Sequence, residues 1–148
     1  HRAPDGAPLD GLAMALLFAA DRRDHLAREV EPALAAGADV VSDRYLMSSL
    51  AYQAQEARRE WVAGLARELR VPDLTLLLDV PVTVAAARRR AAVRPDERYD
   101  ADEIQLRVAA RYRELCAADP SAVILDATGT IDEVAALVAR TVDLRWGL

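Results

Sequence analysis

Pro72-Asp73-Leu74-Thr75-Leu76-Leu77-Leu78-Asp79-Val80-Pro81 decides the fold class. Its apolar core, Leu74–Asp79, is continuous rather than alternating, which suits a strand covered on both faces. Two further runs share that character: Asp39–Ser42 and Ala122–Asp126. Each of the three leads to an aspartate that opens a loop. Pro81 suits the first turn of a helix running to about Val93. Upstream, Leu12–Leu34 sets Leu12, Leu16, Leu17, Leu26, Val30 and Leu34 largely on one helical face, with Gly37 as a stop. Ser48–Leu69 forms a second long helical candidate. Asp100 with Glu103, and Thr130 with Glu133, are spaced as capping boxes that start two more helices. Strands alternating with helices predict an α/β protein with a parallel sheet flanked by helices. No internal repeat, low-complexity tract or linker interrupts the chain, so one domain is expected over 1–148.

Composition narrows the class. The 148 residues are 53% hydrophobic and 29% charged, the balance of an ordinary globular chain. A net charge of −5 argues against a nucleic-acid coat or a membrane-surface binder, both of which need a basic excess. It leaves room for a small anionic ligand held by a local arginine cluster. No apolar run approaches the roughly 20 residues of a membrane span, and no signal-peptide pattern opens the chain. The expected compartment is the cytoplasm. Cys116, the one cysteine, sits in a helical pattern between Leu115 and Ala117 and reads as a buried structural thiol.

In parallel α/β sheets ligands gather at the carboxyl ends of strands. Asp43-Arg44-Tyr45 stands at such an end. An arginine there can hold a phosphate through a charge-assisted pair, and the aspartate can orient the cation or help position a metal-bound phosphate. By itself such a pair is more often an ordinary local salt bridge. Phe18 and Arg22, four residues apart, share a helical face. An aromatic plate beside a guanidinium suits a flat base, although the spacing alone fits a core phenylalanine with a solvated edge. Ser48-Ser49-Leu50-Ala51-Tyr52-Gln53 adds hydroxyls and an amide able to read the polar edge of a pyrimidine. The same residues also make a plain polar helix start.

Leu16–Arg22, Asp43–Gln53 and Pro72–Pro81 together resemble three successive signature segments of bacterial thymidylate kinases, in that family's order and near its spacing. The opening Arg2-Ala3-Pro4-Asp5-Gly6-Ala7-Pro8-Leu9 is similar to a further family segment, with Ala3 in place of its glutamate. Nearly the whole chain is covered. The resemblance implies transfer of the ATP γ-phosphate to dTMP, giving dTDP, with Mg²⁺ accompanying the nucleotide. It implies that Phe18 stacks on thymine and Arg22 bonds the base or its surroundings. Arg44 would hold the dTMP phosphate with Arg2 as a second contact, and Asp43 would lie near the magnesium and the moving phosphoryl group. Ser49, Tyr52 and Gln53 would line the nucleoside pocket, with Tyr52 placed to sense the absent 2′-hydroxyl. A homodimer is a family expectation.

Arg88-Arg89-Arg90, Arg94 and Arg98 fall where that family has its mobile lid, placed at 88–99. A run of arginines is commonly a solvated helix face. In a lid it would bring positive charge to the γ-phosphate as bonds break, and Arg88 and Arg98 are the individual candidates.

Departures from the family pattern are also legible. Ala91-Ala92-Val93 and Ala54-Gln55-Glu56-Ala57 stand where the family has glycine-containing loops, and the stretch between Leu9 and Leu12 is shorter than the family's. No G-x-x-x-x-G-K-S/T occurs in the 148 residues. The resemblance implies a first strand and P-loop ahead of His1, so these residues are expected to be part of a longer polypeptide and inactive alone. Two other readings remain: a nucleoside or nucleotide kinase with another substrate, and a relative that binds nucleotide without turning it over.

Overall fold

The computed structural model describes residues 9–92, 99 and 101–147. The chain divides into two compact units, His1–Val71 and Pro72–Leu148.

In the second unit, β1 (Thr75–Asp79) and β2 (Ala122–Asp126) form a parallel pair in which Thr75 faces Ala122 and Asp79 faces Asp126. Two helices, α5 (Val82–Ala91) and α6 (Asp102–Ala117), cross between them, and α7 (Ile131–Trp146) follows β2. The architecture is therefore α/β with a parallel sheet, as the apolar runs predict. Ala86, Val108, Cys116, Leu125 and Ala127 are buried here. Burial also pushes the Cys116 thiol pKa up, which keeps it protonated and unreactive. Cover on both sheet faces is not what the described residues show: Leu78 and Ile124 are 48% and 46% exposed. Arg113 on α6 makes a bidentate pair with Asp79 at 2.8 and 2.9 Å, tying the helix to the carboxyl end of β1.

The starts of α6 and α7 differ from each other. Thr130 caps α7 by accepting from Glu133 N at 3.3 Å, and the Glu133 carboxylate accepts from Thr130 N at 2.8 Å, the box that the sequence predicts. At α6, Ala101 occupies the cap and makes no side-chain hydrogen bond. Asp100 lies outside the described residues. The acidic pair Asp102 and Glu103 in the first turn instead faces the positive end of the helix dipole.

The first unit holds α1 (Gly11–His25), a π-helical turn at Leu26–Val30, α2 (Glu31–Ala35), α3 (Leu46–Tyr52), a 3₁₀ turn at Gln53–Gln55 and α4 (Arg59–Gly64). Gly37 ends the first helical stretch at φ 82°, a conformation that glycine adopts without strain. Three sequence expectations need correction here.

Asp39–Ser42 is not a strand. These residues are irregular, and Val41 is 97% exposed. A strand exists only by pairing, and no described residue offers this segment a ladder.

The helical stretch of 12–34 does not bury its leucine stripe. Leu12, Leu16 and Leu17 are 47%, 50% and 46% exposed, whereas Gly11, Met14, Ala15 and Leu26 are buried. The prediction assumed a uniform 3.6-residue turn from 12 to 34. The wide turn at Leu26–Val30 breaks that phase, putting the faces before and after it about a quarter turn out of step. Small residues select the face that is buried. A Cβ at Gly11 would collide with the Cβ of Glu56, so only glycine permits this approach to the 3₁₀ turn.

The long helix predicted over Ser48–Leu69 is broken into α3, the 3₁₀ turn and α4. Polar residues from Gln53 to Glu60 interrupt its apolar stripe, and Gly64, a poor helix former, is the last residue of α4.

Candidate functional site

The site residues of the first unit come from α1, the loop after α2, and α3. Phe18 and Arg22 lie one turn apart on α1, on the side of the helix that carries the buried Met14 and Ala15. Phe18 is 42% exposed, so the core takes up only part of it.

Arg22 is half-buried and its guanidinium is engaged. Nη2 donates to Ser49 Oγ at 2.9 Å and to the Tyr45 carbonyl at 3.4 Å, and the cation lies over the Tyr45 ring, 5.6 Å from its centroid. Burial lowers the Arg22 pKa, while the nearby Tyr45 and Asp21 oppose that shift; the group stays a cation. Ser49 is buried one turn into α3, and Gln53 is buried where α3 tightens into the 3₁₀ turn.

Arg44 stands in a different way. It is exposed, at the tip of the loop 42–45, and its backbone is left-handed at φ 65°. For a residue with a Cβ that conformation costs about 1–2 kcal/mol. Ser42 Oγ donates to the Arg44 carbonyl at 2.9 Å and so helps to hold it. The Arg44 guanidinium lies 5.3 Å from the centroid of the Tyr52 ring. Asp43, beside it, is exposed.

The structure thus brings Arg22 to Ser49, brings Arg44 to Tyr52, and sets Phe18 beside Arg22. Arg2, Arg94 and Arg98 lie outside the described residues. Sequence reasoning quoted Tyr45 but gave it no role, although it supplies both a plate and an acceptor for Arg22. The signal was its place directly after Asp43-Arg44; what it touches is 23 residues away in sequence.

Arg88 belongs to the second unit. From the last turn of α5 it donates to the carbonyls of Ala127 at 2.8 Å, Thr128 at 3.1 Å and Gly129 at 3.0 Å. These three bonds hold both Nη groups of Arg88 against the loop before α7. Arg88→Ala should destabilise the protein by about 1–3 kcal/mol, since charged hydrogen bonds to the loop before α7 are lost. Thermal unfolding and amide exchange at 127–130 would register the loss; an unchanged Tm with unchanged exchange would show the contact to be idle.

Among the described residues no group of three or more histidine, cysteine, aspartate or glutamate side chains gathers as a metal site. A lone exposed carboxylate at Asp43 is still compatible with magnesium, which keeps most of its waters and takes its remaining ligands from phosphates. No described helix is long and apolar enough to cross a membrane.

The chain is similar to known proteins over most of its length. The family model for thymidylate kinase matches residues 5–138. The chain is 42% identical to a thymidylate kinase of Leifsonia xyli, over 98% of this chain and 71% of that protein. It is 44% identical to a thymidylate kinase of Thermomicrobium roseum, over 86% of this chain and 65% of the relative. A protein of Thermococcus kodakarensis named a probable thymidylate kinase is 40% identical, over 88% and 64%. The chain therefore spans about two thirds of the length of these relatives.

Proposed function

The chain belongs to the thymidylate kinase family, and we propose that the protein containing it transfers the γ-phosphate of ATP to dTMP. The observation that carries this reading is the Arg22–Ser49 hydrogen bond on the helix side that also presents Phe18. It unites an aromatic plate, a fixed cation and a hydroxyl, the groups that a pyrimidine base requires.

In this reading Phe18 stacks on thymine and Arg22 with Ser49 addresses the polar edge of the base. Gln53 and Tyr52 line the nucleoside, with Tyr52 near the position where a ribonucleotide would carry its 2′-hydroxyl. Arg44 holds the dTMP phosphate, joined by Arg2. Asp43 would help to hold, indirectly, the magnesium that accompanies the nucleotide, which would supply neutralisation of phosphate charge. Arg98 and Arg88 supply cations from the lid. Transfer is in line, so these side chains contribute positioning and charge rather than covalent chemistry. A homodimer on family grounds, with one catalytic domain and a cytoplasmic location on the sequence pattern, completes the proposal.

A substrate panel on the full-length protein tests it. With ATP and magnesium, dTMP should give the highest kcat/KM among dTMP, dUMP, dCMP and thymidine. Preference for thymidine would move the protein to nucleoside kinases, and no transfer to any of the four would defeat the enzymatic reading.

A further inference from the structure

We infer that Tyr45 is a positioning residue for Arg22, and that its ring fixes the guanidinium so that the Nη1 edge meets a carbonyl oxygen of the bound base. The inference rests on the thymidylate kinase reading for the identity of that base.

A guanidinium is planar, with donors along its edges and apolar faces. Among the described residues, both hydrogen-bonding contacts of Arg22 use Nη2, one to Ser49 Oγ and one to the Tyr45 carbonyl. These two bonds set one edge of the plane. They do not stop it from tilting, because both acceptors sit at the same nitrogen. The Tyr45 ring, 5.6 Å from the guanidinium carbon, supplies the missing restraint through a cation–π contact. With Nη2 engaged and the face covered, Nη1 and Nε remain as donors toward a ligand.

The useful part of Tyr45 is its ring. The phenolic oxygen is buried and makes no hydrogen bond among the described residues. A hydroxyl without a partner does not explain a tyrosine held in place, whereas a plate beneath a half-buried cation does. The position is also well chosen along the chain. Tyr45 caps the start of α3, so one residue joins the Arg44 loop to the helix that carries Ser49. Orientation matters more than affinity here, because an arginine aimed at a carbonyl rejects a base that presents an amino group at the same place.

Substitutions at Tyr45 and Arg22, with two readouts, test this. Tyr45→Leu removes the ring and keeps the carbonyl. It should raise the KM for dTMP about 10-fold, with the ATP KM unchanged and kcat within about threefold, and should erode selectivity for dTMP over dCMP. Tyr45→Phe restores the ring and should recover most of the lost affinity. In an Arg22→Ala background, Tyr45→Leu should add nothing to the dTMP KM; additive effects would reduce Tyr45 to a structural residue and overturn the inference.

The second readout does not depend on turnover. In the NMR spectrum of the unliganded protein, Arg22 should give a resolved Nε–H resonance, identified by its loss in Arg22→Lys. That resonance should merge with those of the mobile arginines in Tyr45→Leu and persist in Tyr45→Phe. Its persistence in a folded Tyr45→Leu would overturn the positioning role even if the wild-type protein phosphorylates no dTMP. Should Tyr45→Leu not fold, Tyr45→His, which keeps a flat ring, must retain the resonance or the inference fails. Absence of dTMP phosphorylation by a wild type whose Arg22 resonance behaves as described would count against the substrate reading alone.

Discussion

Arg44→Ala should lower kcat for dTMP phosphorylation by about 10³-fold or more, since a positioned cation opposite a reacting phosphate contributes several kcal/mol to the barrier. The backbone of Arg44 makes the result interpretable. At φ 65° the residue is strained, and replacing it by alanine keeps the strain while discarding the guanidinium. Arg44→Gly discards the guanidinium and relieves the strain. The two variants should therefore be equally inactive, with Arg44→Gly the more stable by about 1 kcal/mol. Arg44→Lys keeps a point charge without the planar fork and should fall between wild type and alanine. Activity near the wild-type level in either truncated variant would remove Arg44 from the phosphate site. Equal inactivity with a lower Tm for glycine would instead show that the left-handed turn is not the strained state described here.

Phe18→Ala should raise the KM for dTMP by about 10- to 100-fold and leave the KM for ATP within about twofold, because stacking of one base on one ring contributes about 1–3 kcal/mol. Partial exposure of the ring sharpens the test. A phenylalanine that is 42% exposed in the unliganded protein contributes little to the core, so truncation should change Tm by no more than a few degrees. A stacking residue and a core residue thus leave opposite signatures. Phe18→Trp, with a larger plate, should keep most of the affinity if the pocket admits it. An equal rise in both KM values, or a collapse of Tm without a change in KM, would assign Phe18 to packing.

What could be read from sequence follows the range over which each feature is determined. The strands Thr75–Asp79 and Ala122–Asp126, the Thr130–Glu133 box, the Gly37 stop and the buried Cys116 are set largely by neighbours in the chain, and all were legible. Asp39–Ser42 has the same apolar look but no described partner, and hydrogen-bonding partners are not encoded in the run itself. The face of α1 was misjudged because one wide turn alters the phase of everything on either side of it. Of the candidate site, the residue types and their order along the chain were visible. The cross-element contacts were not: Arg22 with Ser49 and Tyr45 spans 23 to 27 residues, and Arg88 with the loop before α7 spans 39 to 41. The Arg44–Tyr52 contact is shorter in sequence, yet it too depends on a left-handed residue that composition does not announce.

The π-helical turn at Leu26–Val30 gives the first unit something that a regular helix lacks, a place where chain length and orientation can be traded independently. Insertion or loss of one residue in a uniform helix rotates all that follows by about 100° and ruins whichever side was packed. A turn that already accommodates a surplus residue can lose it and become ordinary α-helix, with its hydrogen bonds intact. Such a change would leave Phe18 and Arg22 as they stand relative to α2, because the surplus residue is taken up within the turn itself. Lineages carrying this helix can thus shed one codon there without disturbing how a ligand is presented.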